Sequence, residues 1–123
     1  MQLDYSEQEK LERGLFIDII LLAPATSELV ITADSWQGTP DLLGERLIVR
    51  NAEWVVPLLA ESREFLQQQA LLNDLQTMFV HFYIVENGME IFSSFDRMCS
   101  IVIEDSFPES QQLKLRYATL EIM

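Results

Sequence analysis

One histidine and a single cysteine are the residues of this chain that suggest nucleophilic catalysis. His81 could serve as the base for a Cys99 thiolate, because a nucleophile needs a base within hydrogen-bond reach. His81 lies in the most apolar run of the sequence, however, and no spacing places it beside Cys99. We therefore interpret His81 as a core histidine and Cys99 as a small buried residue at the start of a strand. The chain is predicted not to be an enzyme.

Carboxylates are far more abundant, with 20 Asp and Glu residues. Glu104 and Asp105 are adjacent, and Asp34 and Asp41 belong to one loop, but no segment has the alternating ligands of an EF-hand. One histidine and one cysteine do not supply the four ligands of a structural zinc site. The four glycines are scattered and form no phosphate-binding loop. We therefore expect no metal ion and no cofactor.

The carboxylates outnumber the 8 Lys and Arg residues and give a formal net charge of -12 at pH 7. Such a surface repels nucleic acid and anionic membranes and attracts basic proteins. The hydrophobic fraction of 49% is that of an ordinary globular domain, so the acidity lies on a normal core. The acids are spread along the chain, which indicates an acidic surface rather than an acidic tail.

The length of 123 residues is typical of one domain, and no linker or repeat divides residues 1–123. No signal peptide is visible, and the apolar run over residues 15–23 is shorter than the ~20 residues that a membrane span needs. A single cysteine cannot form an internal disulfide. These features predict a cytoplasmic protein without a membrane partner.

Two helices are predicted to carry part of the core. Apolar residues at helical spacing predict a helix over residues 6–22. Gly14 leaves an alternative open, in which that helix ends and residues 15–22 form a buried strand. A middle helix is predicted over residues 57–69, with Pro57 in its first turn and one apolar face.

Strands make up the rest, and they are predicted over residues 28–33, 45–50, 78–86, 89–95, 99–104 and 113–122. Asn87-Gly88 favours a two-residue hairpin, because both residues of that turn take positive φ. The last four strands are predicted to form an antiparallel meander. The predicted fold class is therefore α+β, an antiparallel β-sheet covered by an N-terminal helix and a middle helix.

We expect the acidic surface to bind and neutralise a basic protein, as a bacterial immunity or antitoxin protein does with a nuclease toxin. Self-association through an open C-terminal strand, for example as a homodimer, is the alternative, and a small enzyme without a sequence signature is the third. Trp36 is either an exposed anchor beside Asp34 and Asp41 or a lid folded over the sheet edge. The expected partner-binding residues lie at strand ends and in loops: Asp34, Trp36, Asp41, Glu104, Asp105 and Glu109.

Overall fold

The structure is a computed structural model, and it describes residues 5–32, 44–73, 75–95 and 98–123. Within these ranges the chain has three α-helices, short helical turns at Gly44–Arg46, Leu75–Met78 and Ala118–Leu120, and six strands. The helices are α1 (Tyr5–Leu22), α2 (Ala60–Leu72) and α3 (Ser110–Arg116). The strands are β1 (Glu28–Thr32), β2 (Ile48–Arg50), β3 (Glu53–Pro57), β4 (Phe82–Glu86), β5 (Met89–Phe95) and β6 (Ser100–Ile103).

The described strands form one antiparallel sheet in the order β2-β3-β1-β4-β5-β6, and α1 and α2 pack on it. This confirms the predicted α+β class with its N-terminal and middle helices. The Asn87-Gly88 hairpin between β4 and β5 is also confirmed, since φ is 52° at Asn87 and 79° at Gly88. A second two-residue turn, Asn51-Ala52, joins β2 to β3 with positive φ at both residues.

The register of the β4–β5 hairpin shifts between Ile84 and Val85. Ile84 pairs with Phe92, whereas Val85 pairs with Glu90, so that Ile91 is an extra residue on β5. A β-bulge of this kind turns neighbouring side chains to the same side. The consecutive residues Ile91 and Phe92 therefore both face the core, and both are buried.

The core lies between the sheet and the helices and is centred on phenylalanine side chains. The rings of Phe16 and Phe82 meet edge to face with centroids 5.6 Å apart, and Phe79 lies 4.7 Å from Phe82. Phe92 stacks on Phe82 at 5.4 Å. Full burial of each such side chain contributes about 1.5–3 kcal/mol, so this cluster fixes α1 over the centre of the sheet.

Residues 15–22 are helical, which settles the alternative left open by Gly14. Gly14 lies inside the helix, where the absence of a side chain lets Tyr117 pack closely: a Cβ at position 14 would lie 3.0 Å from the Tyr117 hydroxyl oxygen. That hydroxyl donates to Asp18 at 2.5 Å, and Arg116 also donates to Asp18 at 2.9 Å. Burial, followed by the contact with Asp18, raises the pKa of Tyr117 to about 12.

Two arginines tie α1 and α2 together at opposite ends. Arg63 of α2 donates to the carbonyls of Ile20, Ala23 and Pro24 at 2.7–2.8 Å, and so satisfies the C-terminal end of α1. Arg13 of α1 donates to the carbonyl of Ala70 at 2.7 Å, near the end of α2. The two helices therefore run antiparallel, and each supplies a cation to the negative end of the other.

The strand predicted over residues 113–122 is wrong. This segment forms α3 and the helical turn Ala118–Leu120, because Leu113 and Tyr117 are buried at a spacing of four while Leu115 is 78% exposed. Met123 then lies along β6, where its N–H donates to the Ile101 carbonyl and its carbonyl accepts from the Ile103 N–H. The edge of β6 is thus covered by the last residue.

Several predicted boundaries also differ from the structure. Pro57 ends β3, opposite Glu28, instead of opening the middle helix, which begins at Ala60. Proline is compatible both with the end of a strand and with the first turn of a helix. Pro57 therefore marked a boundary without showing which element it belongs to. The strand predicted over residues 45–50 keeps only three residues in β2, since Gly44–Arg46 forms a helical turn. The loop predicted over residues 34–41 lies outside the described residues.

Candidate protein-binding surface

Strand register brings carboxylates that are distant in sequence to one end of the sheet. Glu28 begins β1 and pairs with Val85, next to Glu86 at the end of β4. Val85 in turn pairs with Glu90 of β5. Glu104 directly follows β6, and its N–H donates to the carbonyl of Ile91, the residue after Glu90. We call this region, with residues Glu28, Glu86, Glu90, Glu104 and Asp105, the hairpin end.

Cations compensate only part of the charge at the hairpin end. Arg50 pairs with Glu28 at 2.6 Å, and Lys114 pairs with Asp105 at 3.0 Å. For Glu86, Glu90 and Glu104, no ion pair forms within the part of the chain that the structure describes. Because Glu90 and Glu104 are also exposed, the hairpin end carries a local excess of negative charge.

The candidate residues in the C-terminal half lie together on this surface. Glu104 is exposed, and the Asp105 side chain is 82% exposed. Glu109 is half-buried before α3, and its carbonyl accepts from the Leu113 N–H at 3.0 Å. All three belong to the turn that links β6 to α3. The other candidates, Asp34, Trp36 and Asp41, lie outside the described residues.

Sequence reasoning missed three residues of the hairpin end: Glu28, Glu86 and Glu90. A signal for two of them was present, because Glu86 directly precedes the correctly predicted Asn87-Gly88 turn and Glu90 lies two residues after it. Both therefore lie at the same end of the predicted hairpin, so their charges could have been combined. Glu28 joins them only through the pairing of β1 with β4, which no local pattern indicates.

A cleft of about 480 Å³ lies between the turn Gly44–Arg46 and the start of α2. Arg46 lies on its wall and forms an ion pair with Glu61. The Arg46 guanidinium also lies 4.2 Å from the centroid of the Phe65 ring, a cation–π contact. Since Arg46 is already engaged with a carboxylate and a ring, this cleft is a weaker candidate than the hairpin end for a charged partner.

The two residues considered for nucleophilic catalysis lie on opposite sides of β5. His81 directly precedes β4, is half-buried and has its ring 5.9 Å from that of Phe95. Cys99 directly precedes β6 and is exposed, so its predicted burial is wrong. The turn before β6, where Met98 has φ 71°, turns Met98 inward and Cys99 outward. Strands two positions apart are separated by about 10 Å, too far for a thiol–imidazole hydrogen bond between them.

The described ranges contain neither a metal-binding cluster nor a helix that could cross a membrane. Among these residues, no group of three or more His, Cys, Asp or Glu side chains could hold a metal ion. None of the described helices combines the length and the apolar character that a membrane crossing requires. In comparisons with known proteins, no family model, no curated protein and no solved structure matches the chain.

Proposed function

We propose that this chain is an acidic binding domain that neutralises a basic protein, in the manner of an immunity or antitoxin protein that blocks a nuclease toxin. The observation that supports this proposal is the uncompensated charge of the hairpin end. There, Glu86, Glu90 and Glu104 lie at one end of the sheet with no ion pair within the described residues, and Glu90 and Glu104 are exposed. A cytoplasmic location is part of the proposal.

The physical basis is electrostatic steering. A nuclease carries a positive groove for the phosphates of its substrate, and a negative surface is attracted to that groove over several ångströms. Complementary charge raises the rate of association more than it slows dissociation. An inhibitor with the formal net charge of -12 found here would bind such a groove rapidly and occlude the path of the nucleic acid.

The first experiment is affinity capture from the source cell at low and at elevated salt, followed by mass spectrometry. We expect one basic protein that binds at low salt and elutes as the salt rises, because charge pairing between exposed groups is screened. Activity of the captured protein on nucleic acid, with and without this chain, then measures inhibition. Capture of no basic protein at either salt concentration would contradict the proposal.

A charge-matched pair of variants tests the surface itself. The double variant Glu90→Gln, Glu104→Gln removes two carboxylates from the hairpin end, and Glu53→Gln, Glu64→Gln removes two from elsewhere. Glu53 lies at the opposite end of β3, and Glu64 is exposed on α2. We expect the association rate at low salt to fall about fivefold or more in the first variant and less than about twofold in the second. Equal falls would show that net charge, and not the hairpin end, steers the partner.

Self-association is the second candidate, and the β2 edge favours it. This strand ends the sheet opposite β6, and Ile48 and Val49 are 46% and 66% exposed there. Among the described strands β2 has no neighbour on its outer side, and such an edge with apolar side chains can pair with a second copy. Sedimentation of the purified chain distinguishes the two candidates: a stable dimer that dissociates in an Ile48→Lys variant would favour self-association.

A further inference from the structure

A second cleft opens at the hairpin end, on the side of the sheet that faces the helices. Its volume is about 270 Å³. It lies between the end of α1, the β4–β5 hairpin and the turn before α3, and its walls include Pro24, Met89, Ile91, Phe107 and Pro108. Pockets that enclose drug-sized ligands have about 300–1,000 Å³, so the size of this cleft suits a single side chain.

One carboxylate lies within these apolar walls. Glu86 lines the cleft, and its Oε2 atom is buried without a hydrogen-bond partner among the described residues. A buried carboxylate oxygen that is not hydrogen-bonded is costly, because it has lost water and gained nothing in exchange. A cation that enters the cleft would compensate the charge of this half-buried carboxylate, which has no ion pair among the described residues.

We propose that this cleft receives an arginine side chain of a basic protein. The guanidinium would pair with the Glu86 carboxylate from the open side of the cleft, while its methylene stem would lie along Met89, Phe107 and the two prolines. Arginine fits better than lysine, because its planar group is more weakly hydrated and packs on apolar and aromatic surfaces. Glu104 and Asp105, which directly precede the cleft residue Ser106, add attractive charge at the rim.

This inference rests on the proposed function, because it assigns the arginine to the basic partner. It adds a specific contact to a general attraction. Steering by exposed carboxylates needs no defined geometry, whereas the cleft requires one cation at one carboxylate. The two proposals can therefore fail separately.

The test uses the whole chain and a capped amino acid, N-acetyl-arginine methylamide, followed by amide chemical shifts in two-dimensional NMR. Capped citrulline, which has the same shape without the charge, and capped lysine are the comparison probes. We expect capped arginine to bind with a dissociation constant on the order of millimolar and to shift the amides of Glu86, Met89, Ile91 and Phe107. Citrulline should shift none of them, and lysine should bind more weakly than arginine.

Two isosteric variants locate the contact. Glu86→Gln should weaken the binding of capped arginine about tenfold, because it replaces a charge-assisted hydrogen bond with a neutral one. Glu53→Gln, which removes a carboxylate at the opposite end of β3, should weaken it less than about threefold. If Glu86→Gln does not fold, the comparison of arginine with citrulline on the unaltered chain still decides the matter.

Equal shifts with citrulline, or equal effects of the two variants, would overturn the inference. Capture of a basic protein together with no response of the cleft to capped arginine would also overturn it and would leave the proposed function standing. Binding of capped arginine in the cleft without capture of any basic protein would instead overturn the proposed function, and the cleft would then be a guanidinium site.

Discussion

Gly14 provides the sharpest test of how the helices are joined, because replacing it with alanine has opposite effects with and without one hydroxyl group. Gly14 lies inside α1, where alanine is about 1 kcal/mol more favourable than glycine. The new Cβ, however, would lie 3.0 Å from the Tyr117 hydroxyl oxygen. The perturbation therefore sets helix propensity against a close contact between α1 and the segment after α3.

The magnitude follows from how firmly the hydroxyl is held. Tyr117 donates to the Asp18 carboxylate at 2.5 Å, and a hydrogen bond to a charged group contributes roughly 1.5–3 kcal/mol. To accept the Cβ, the hydroxyl must move by a few tenths of an ångström and weaken that bond. We expect Gly14→Ala to lower the free energy of unfolding by about 0–1 kcal/mol, since the propensity gain offsets part of the loss.

In a Tyr117→Phe background the oxygen is gone, and the nearest ring atoms lie 3.4 and 3.6 Å from the new Cβ, which is ordinary contact. Gly14→Ala should then raise the free energy of unfolding by about 1 kcal/mol. Urea unfolding of the wild type, both single variants and the double variant measures a coupling that we expect to be about 1–2 kcal/mol. A gain of about 1 kcal/mol in both backgrounds would refute the reasoning, because the hydroxyl would then place no constraint on position 14.

Three further predictions concern single groups. Arg63→Lys should lower the free energy of unfolding in urea by about 2–3 kcal/mol, because an ammonium cannot span the carbonyls that the guanidinium joins. Arg116→Lys, at an exposed ion pair, should have a much smaller effect. The pKa of Tyr117 is raised from 10.0 to about 12, so the stability that its neutral form provides is complete below pH 10 and is lost as the pH rises through about 12. The difference in unfolding free energy between the wild type and Tyr117→Phe should shrink over that range. Gly88→Ala should lower the free energy of unfolding by about 1–2 kcal/mol. The cost is backbone strain alone, because φ at Gly88 is +79° and no described atom lies within 4 Å of the new Cβ. An unchanged melting temperature would contradict this.

Local signals predicted the parts of the fold whose cause is local. Asn87-Gly88 favours positive φ whatever surrounds it, and the turn occurs where it was predicted. The sequence left open whether the helix continues past Gly14. The glycine at this position is explained by its contact with Tyr117, which is 103 residues distant in sequence. The helix α3 was mistaken for a strand for a similar reason. Leu113, Leu115 and Tyr117 alternate in sequence, and only the packing shows that Leu115 faces solvent.

The candidate surface was predictable to the same extent. Glu104 and Asp105 were chosen because they lie at the end of a predicted strand, and the structure places them at the hairpin end. Glu86 was missed because its significance depends on the cleft between the hairpin, the end of α1 and the turn before α3. The bulge that places Ile91 on the wall of this cleft had only a faint signal, the incomplete alternation along β5.

The excess charge of the hairpin end follows from where the fold uses its few cations. Arg13 and Arg63 bind carbonyls at the ends of the two long helices, and Arg116 binds Asp18 on α1. These contacts join helices to one another and leave little positive charge for the strand ends. Because carboxylates without cations repel one another, they do not stabilise the compact state. We therefore infer that the exposed carboxylates Glu90 and Glu104 serve binding rather than folding, and that a basic partner supplies the cations that no described residue places there.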